Sequence, residues 1–188
     1  MAPVRVAAWL LLVAVGCGIA HARELQNVLP ATGTVEYAFS PEDDAGGRVV
    51  RAIDAARAQV LVQAFSFTHE RIGEALIRAA RRGVVVRVLA DAGQAELIDR
   101  SVVRQLAAAG LAVFVDDEHL AAHNKVVVVD ADGPVPTVIT GSFNFTFAAQ
   151  YRNAENLLIL RGNPALAKAY RDNWDRHREH STALGAVP

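Results

Sequence analysis

Valine-rich runs alternate with amphipathic segments through the first half of this chain, and the alternation restricts the folds open to it. Apolar residues at helical spacing predict helices, and the short apolar runs between them predict strands. The predicted helices cover 48–58, 69–82 and 96–109, and the predicted strands cover 35–39, 60–67, 84–90 and 111–115. Strands separated by helices favour an α/β fold in which helices cover a mixed, mostly parallel sheet.

The second half of the chain has a different pattern. Its predicted elements are strands over 126–129, 135–140 and 156–160 and a helix from Pro164 with Asn163 as N-cap. The segment from Asp130 to Pro134 contains Asp-Gly and Pro and predicts a hairpin turn between the first two strands. A chain of 188 residues has room for one ordinary domain, so we expect a single domain per chain.

The N-terminus has the three parts of a secretory signal. Arg5 precedes an apolar run from Val6 to Ala20, and Ala20-His21-Ala22 is a small-x-small cleavage site that predicts a mature start at Arg23. A membrane anchor is the alternative, although the run is shorter than the roughly 20 residues that span a bilayer. Lipid attachment at Cys17 is a second alternative. We therefore expect a periplasmic or secreted protein with no stable membrane span after cleavage.

The resulting plan of the chain has four parts. They are a signal peptide over 1–22, a linker over 23–33, a domain over 34–180 and a tail over 181–188. Cleavage removes the only cysteine, so packing alone must stabilise the mature domain. It also removes Arg5 and leaves 18 basic against 20 acidic side chains, a net charge of about −2. Any site for a polyanion must therefore be a local patch.

Four polar residues carry the chemistry that the sequence suggests. His123 and Lys125 stand two apart at the start of one predicted strand, and Ser142 and Asn144 stand two apart after the next. The two-residue period of a strand points each pair to one face. An imidazole can attack phosphorus, while an ammonium and an amide donate hydrogen bonds to the phosphate oxygens. The set therefore suits a phosphate, and no metal or other cofactor is required.

These residues resemble the signature of the phospholipase D superfamily, which is His-x-Lys, four residues, Asp, then Gly-Ser-x-Asn. The matching residues are His123, Lys125, Asp130, Gly141, Ser142 and Asn144. The segments 65–68 and 153–156 extend the likeness to short bacterial members with one motif per chain, including periplasmic endonucleases. The resemblance implies a phospholipase D-like fold and a metal-independent phosphodiesterase that forms a phosphohistidine on His123.

The resemblance also assigns roles to the remaining motif residues. It implies that Glu155 holds the catalytic imidazole in its tautomer and supports its charge. Asp130 and Gly141 belong to the signature, and we expect Asp130 to cap the turn rather than to act in catalysis. The connection from Asp130 to Gly141 is about four residues longer than is usual in the family. A longer hairpin tip leaves the ends of the motif in place.

Other polar and aromatic residues have simpler interpretations. The spacing of the remaining histidines predicts no metal site; these are His69, His119, His177 and His180. Tyr170 and Trp174, four apart on the last helix, are expected in the core or an interface. Arg152 is a candidate for the rim of a nucleic-acid cleft.

A single motif in each chain predicts a homodimer. In-line displacement at phosphorus has its nucleophile and leaving group on opposite sides, so one histidine needs a second acid across from it. A two-fold dimer supplies the same residue from each chain. We therefore expect a composite active site with two His123 side chains.

Three functions remain open at this point. The first is an exported nuclease that acts through a phosphohistidine, and the second is a phospholipase D that acts on phospholipid headgroups. No loop is conspicuously apolar, which favours nucleic acid over lipid. The third is a noncatalytic binding module, against which the complete motif weighs.

Overall fold

Eight strands form one sheet in the computed structural model of the protein, which describes residues 27–97 and 101–185. The chain divides into a unit of residues 1–31 and a unit of residues 32–188. Residues 27–31 of the first unit contain no strand or α-helix. The predicted signal peptide, including Cys17, lies outside the described residues.

The second unit contains all the named elements. The strands are β1 (Thr34–Ser40), β2 (Gln59–Ala64), β3 (Val85–Asp91), β4 (Ala112–Asp116), β5 (Lys125–Val129), β6 (Thr137–Gly141), β7 (Glu155–Arg161) and β8 (Thr182–Ala183). The helices are α1 (Ala45–Asp54), α2 (Glu70–Arg81), α3 (Ala92–Leu97), α4 (Val102–Ala108), α5 (Phe147–Tyr151) and α6 (Pro164–His180). Part of the predicted C-terminal tail thus forms β8, which pairs with β4.

The strands lie in the order β1-β7-β6-β5-β2-β3-β4-β8. The helix-covered mixed sheet is confirmed, but the expectation of a mostly parallel sheet is wrong. Only β2 with β3 and β3 with β4 run parallel among the described strands, and the other five pairings are antiparallel. Three of the antiparallel pairings arise because β5 runs antiparallel to β2 and the predicted hairpin then places β6, followed by β7, beside it.

Both faces of the central strands are buried, which explains their near-continuous valine content. On one face, Val127 and Val129 of β5 join a core with α1, α2 and α4. On the other face, Val126 and Val128 pack with α6. Trp174 of α6 is buried there and donates its indole N–H to a backbone carbonyl of β2 at 2.9 Å. The expectation that Trp174 belongs to the core is confirmed.

Several helices begin where a side chain accepts a backbone N–H group of the first helical turn. Asp44 begins α1 three residues earlier than predicted, because its carboxylate accepts the N–H of Gly47 at 2.9 Å. Asn163 caps α6 as predicted and accepts the N–H of Leu166. The prediction of a single helix over 96–109 is wrong, since this part of the chain contains the end of α3 (Ala92–Leu97) and a separate helix, α4 (Val102–Ala108). Ser101 has an extended backbone and serves as the N-cap of α4.

Asp130 directly follows β5, at the end of the strand that lies farther from Lys125. Its carboxylate accepts the backbone N–H groups of Arg57, Ala58 and Gln59 at 2.7–2.9 Å. These amides belong to the loop that enters β2, so Asp130 joins this loop to the hairpin. The backbone of Asp130 has φ 48°, a left-handed conformation that Asp and Asn adopt more readily than most residues.

We expect Asp130→Ala to lower the free energy of unfolding by about 1–3 kcal/mol, because three N–H groups lose a charged acceptor. Denaturant unfolding measures the change. Asp132→Ala is the matched control at the tip of the same hairpin, where the aspartate is exposed and forms an ion pair with Arg171. That variant should change stability by less than about 1 kcal/mol. Equal effects of the two substitutions would contradict the bracing role of Asp130.

Candidate active site

The candidate active site lies at one edge of the sheet, where several strands end together. Lys125 begins β5 there, Gly141 ends β6 and Glu155 begins β7. β5 and β6 are antiparallel neighbours in which Val126 pairs with Thr140. Lys125, one residue before Val126, and Gly141, one residue after Thr140, therefore lie side by side at this edge. The hairpin therefore carries the two halves of the motif to the same end of the fold.

His123 and Lys125 are joined by two contacts. The ammonium nitrogen of Lys125 lies 3.0 Å from Nδ1 of His123 and donates to the His123 carbonyl at 2.8 Å. An ammonium has no lone pair, so Nδ1 is the acceptor and a neutral imidazole carries its proton on Nε2. His123 is exposed, whereas Lys125 has only 7% of its surface exposed. The imidazole can therefore meet a substrate while the ammonium supports it from below.

Phe65 forms an aromatic wall beside both groups. Its ring centroid lies 4.4 Å from that of His123 and 4.9 Å from the Lys125 ammonium. The first contact positions the imidazole, and the second is a cation–π contact that partly replaces the lost hydration of the ammonium. Burial lowers the pKa of Lys125, and the nearby negative charge of Glu155 opposes that shift. Phe65 lies in the segment 65–68, but its role as a wall was missed by sequence reasoning.

Ser142 and Glu155 form a second group of contacts. The hydroxyl of Ser142 donates to one oxygen of Glu155 at 2.6 Å, and the amide of Asn153 donates to the other at 3.0 Å. The Ser142 oxygen also accepts the backbone N–H of Asn156 at 3.0 Å. The segment 153–156 therefore holds Glu155 in place. The sequence pattern marked this segment but did not indicate that Asn153 holds Glu155 and Asn156 holds Ser142.

Gly141 is required by close packing at this edge. A Cβ there would lie 2.3 Å from the backbone carbonyl oxygen of Asn156. That same oxygen lies 3.1 Å from the N–H of Ser142 and 3.2 Å from the N–H of Phe143. Any larger residue would push β7 away and disturb these hydrogen bonds.

Asn144 has an incompletely satisfied side chain. Its Oδ1 is buried and has no hydrogen-bond partner among the described residues. A half-turn of the amide brings its NH₂ group to the same place. A buried polar group of this kind is costly unless a ligand or water completes it. Asn144 is thus prepared to contact a bound group, as its predicted role in binding phosphate requires.

No hydrogen bond joins Glu155 to His123 among the described residues. Within one chain the carboxylate is held by Ser142 and Asn153, and Nδ1 of the imidazole faces Lys125. The role of Glu155 in orienting the imidazole stays a prediction. Arg152 is exposed on the segment that leads to Glu155, and its guanidinium lies 5.6 Å from the ring centroid of Phe147.

The loop that leads into His123 is anchored by two buried aspartates. Asp91, at the end of β3, accepts the N–H of Ala122 at 2.8 Å. Asp116, at the end of β4, accepts the N–H groups of Glu118 and His119 at 3.2 and 3.3 Å. The two carboxylates thus hold both ends of the loop 117–122. Its path determines where the backbone of His123 begins.

Three of the remaining histidines meet around Asp116. Side-chain nitrogens of His119, His177 and His180 lie 3.0–3.3 Å from its carboxylate oxygens. Burial favours a raised pKa for Asp116, but hydrogen bonds from these histidines outweigh it and hold the pKa well below its usual range. The spacing of these three histidines in the sequence predicted no metal site, and the fold brings them together with Asp116 as a group that could hold an ion. His69 belongs to a different region, buried against Gly46 of α1.

An exposed imidazole lies beside a buried ammonium, with an amide and a carboxylate at the same sheet edge, and this set of groups is a candidate site for phosphoryl transfer. A family model described as "Cardiolipin synthase, PLD-like domain" matches residues 49–178. The chain therefore belongs to the phospholipase D-like family, as the motif predicted. It is a phosphodiesterase of that superfamily, which sets aside the noncatalytic interpretation.

Individual relatives agree with this assignment. The chain is 38% identical over 141 residues to a phospholipase D of Rickettsia conorii, covering 74% of this chain and 67% of that protein. It is 36% identical over 117 residues to the human mitochondrial cardiolipin hydrolase, covering 62% of this chain and 44% of that protein. The phospholipase D family member Nuc of Salmonella typhimurium has the same fold, with a TM-score of 0.76 and 32% identity. The match covers 81% of this chain and 98% of Nuc.

The pKa of Lys125 can be measured directly, because the chain contains only one other lysine, Lys168. Selective labelling of lysine side chains for NMR should give one signal from each lysine. Since burial disfavours the ammonium, Lys125 should lose its proton below the pH that is ordinary for a lysine side chain. Glu155→Gln should lower the pKa of Lys125 further. Phosphate binding should weaken as the pH rises through that pKa, whereas an ordinary lysine pKa for Lys125 would contradict the buried ammonium.

Proposed function

We propose that this protein is an exported, metal-independent nuclease that cleaves phosphodiester bonds through a phosphohistidine on His123. The observation that carries the proposal is the contact between the exposed His123 imidazole and the buried Lys125 ammonium. An imidazole supplies the nucleophile, and a fixed positive charge stabilises the phosphate oxygens in the transition state.

The first chemical step begins when a phosphate oxygen replaces His123 as the partner of Lys125. The freed imidazole then uses the lone pair of an unprotonated ring nitrogen to form an N–P bond. The P–O bond to the leaving alkoxide breaks, and the alkoxide takes a proton from an acid on the opposite side of phosphorus. Asn144 donates its NH₂ group to a nonbridging oxygen. Ser142 lies beside the phosphate and keeps Glu155 in position.

The second step releases the phosphate. Water attacks phosphorus and gives a proton to the group that protonated the leaving alkoxide, the P–N bond breaks, and its electron pair returns to the imidazole. For Nε2 to be the atom that attacks phosphorus in the first step, the imidazole proton must first move from Nε2 to Nδ1 and have an acceptor there. Departure of Lys125 from Nδ1 makes that position available to a carboxylate, and Glu155 is the residue we assign to it. The intermediate needs no Lewis acid, since Lys125 neutralises the phosphate charge.

Nucleic acid is favoured as substrate by the residues next to the motif. Phe147 and Tyr151 of α5 are exposed, and their ring centroids are 4.6 Å apart. Arg152 extends the same surface with a guanidinium above Phe147. Exposed aromatic rings that stack with bases, beside a cation that pairs with phosphate, are typical of single-strand binding surfaces. The helix α5 follows Asn144 closely, so a bound strand would extend from the site.

A phospholipid is the second candidate substrate, and one observation favours it. Leu120 is fully exposed on the loop 117–122 that leads into His123, where a leucine side chain suits a lipid surface better than water. The names of the curated relatives, phospholipase D and cardiolipin hydrolase, point the same way. No described helix is long and apolar enough to cross a membrane.

A homodimer is proposed from the single motif and from an exposed apolar surface. Val35, Tyr37 and Phe39 of the edge strand β1 are each more than half exposed. Leu158 of β7 pairs with Tyr37 and continues this surface. Phe39 pairs with Asn156, which contacts Ser142, so the surface begins beside the active site. A two-fold contact there would bring a second His123 toward the first.

Export is proposed from the N-terminal sequence alone. The positive residue, apolar run and small-x-small site over 1–22 form a signal peptide, and we place the mature protein in the periplasm or outside the cell. Lipid attachment at Cys17 would keep it on a membrane surface instead. Mass analysis of the exported protein distinguishes a start at Arg23 from a lipidated Cys17.

The substrate is tested by assaying the purified protein with single-stranded DNA, duplex DNA, RNA and phosphatidylcholine vesicles, all in excess chelator. We expect hydrolysis of nucleic acid without metal, because no step uses a Lewis acid. Arg152→Ala should raise KM for nucleic acid several-fold, and Arg57→Ala, an exposed arginine at the opposite sheet edge, is the matched control. Cleavage of phosphatidylcholine alone would establish the lipid alternative, and activity that requires Mg²⁺ would contradict the metal-free mechanism.

The nucleophile is tested by His123→Ala. Turnover should fall by at least about 10³-fold, because the covalent route is lost, while the fold is retained because the imidazole is exposed. Acid-free trapping with a labelled substrate should place phosphorus on His123 in the wild-type protein. His119→Ala is the control for a neighbouring histidine in the trapping experiment. Phosphorus found on His119 would overturn the assignment.

The composite site is tested by mixing wild-type and His123→Ala chains at varied ratios after joint refolding. A mixed pair lacks either the nucleophile or the acid, so only wild-type pairs should be active. With random pairing, an equal mixture should retain about one quarter of full activity. A linear dependence on the wild-type fraction, or full activity in a species that sediments as a monomer, would contradict the dimer proposal.

A further inference from the structure

A cluster of four side chains lies beside the loop that leads to His123 and has no role in the phosphoryl-transfer mechanism. Asp116 ends β4, and its carboxylate is fully buried. His119 stands on the loop three residues later. His177 and His180 are three residues apart in the last turn of α6, so both project from one face of the helix. These four residues are called the histidine cluster below.

One ring nitrogen of each histidine faces the carboxylate of Asp116. Nδ1 of His177 lies 3.0 Å and Nε2 of His180 lies 3.3 Å from the same oxygen of Asp116. Nδ1 of His119 lies 3.1 Å from both carboxylate oxygens. One ligand atom from each of the four residues can be chosen so that all lie within 4.8 Å of one another. The three imidazole rings have centroids 5.0–5.5 Å apart.

These distances fit a tetrahedral metal site. A Zn²⁺ ion with ligands at about 2.0–2.1 Å requires them to be about 3.3 Å apart. The three nitrogens already have this separation from the carboxylate, and modest side-chain rotations would bring them closer to one another. Three nitrogen donors and one oxygen exclude Mg²⁺ and Ca²⁺ as natural occupants, since those ions prefer oxygen. The donor set instead suits Zn²⁺ and neighbouring transition metals.

We propose that Asp116, His119, His177 and His180 bind one transition-metal ion of the Zn²⁺ type. The ion would join the loop 117–122 to the C-terminal helix α6. Its four protein ligands would fill a tetrahedral shell, which makes the site structural rather than catalytic. The metal would therefore brace the approach to His123 without entering phosphoryl transfer.

A network of hydrogen bonds is the competing explanation. A carboxylate has lone pairs enough to accept an N–H from each imidazole. In that arrangement all three rings must turn a protonated nitrogen toward Asp116, and metal would have no defined place. The two explanations differ in what they predict for metal binding, which can be measured independently of any hydrolytic activity.

The test uses the full-length protein, stripped of metal and then titrated with Zn²⁺ against a chromophoric chelator. We expect one Zn²⁺ per chain with submicromolar affinity and a rise in the thermal unfolding midpoint on binding. Co²⁺ should give the intense visible absorption of a tetrahedral site. Mg²⁺ should neither compete with Zn²⁺ nor raise the midpoint.

Two variants assign the ligands. His119→Ala and His177→Ala should each weaken Zn²⁺ binding by more than about 100-fold, since loss of a ligand exceeds the effect of losing an outer-shell partner. His123→Ala and Arg176→Ala are the controls, one an exposed histidine outside the cluster and the other an exposed residue on the same turn of α6. Both should bind Zn²⁺ as the wild type does. Circular dichroism of each metal-free variant checks that it is folded.

Two results would overturn the proposal. The first is Zn²⁺ binding that is weak, substoichiometric or octahedral by the Co²⁺ spectrum, which would leave the cluster as a hydrogen-bond network. The second is tight binding that survives both ligand substitutions in folded protein, which would place the metal on other residues. Neither result depends on whether the protein cleaves nucleic acid or lipid.

Discussion

The burial of the Lys125 ammonium is the constraint on which the active site depends. A charge removed from water must be compensated, and the compensation comes from the His123 carbonyl and ring, the face of Phe65 and the nearby Glu155. Each partner comes from a different segment. The end of β2, the loop before β5 and the start of β7 must therefore meet at one sheet edge.

The antiparallel hairpin makes that meeting possible. β5 lies between β2 and β6, so its first residue lies beside the end of β2 and beside the end of β6. Asp130 fixes the far end of β5 through three backbone amides, while Asp91 and Asp116 fix the loop at the near end. The two ends of one strand are thus held by carboxylates. These hydrogen bonds to carboxylates fix the position of the active-site edge.

Much of the local structure was predictable because it depends on neighbouring residues. Asn163-Pro164 begins α6 because the asparagine side chain competes for the first amides of the helix. The hairpin follows from the turn residues between β5 and β6. The start of α2 was harder to predict, since its N-cap residue, His69, makes no side-chain cap bond. There, hydrogen bonds from the N–H groups of Thr68 and His69 to the Phe145 carbonyl set the boundary.

By itself, the sequence determined the α/β class and the hairpin, because these follow from periodicity and turn chemistry within short segments, and its resemblance to the phospholipase D superfamily identified the motif residues. Only the tertiary structure decided that most strand pairs are antiparallel, that Phe65 flanks His123 and Lys125, and that Asp116 gathers three histidines. His119 and His177 are 58 residues apart in the chain. Their meeting depends on α6 packing across the sheet, and no local pattern encodes a contact between elements so distant in sequence.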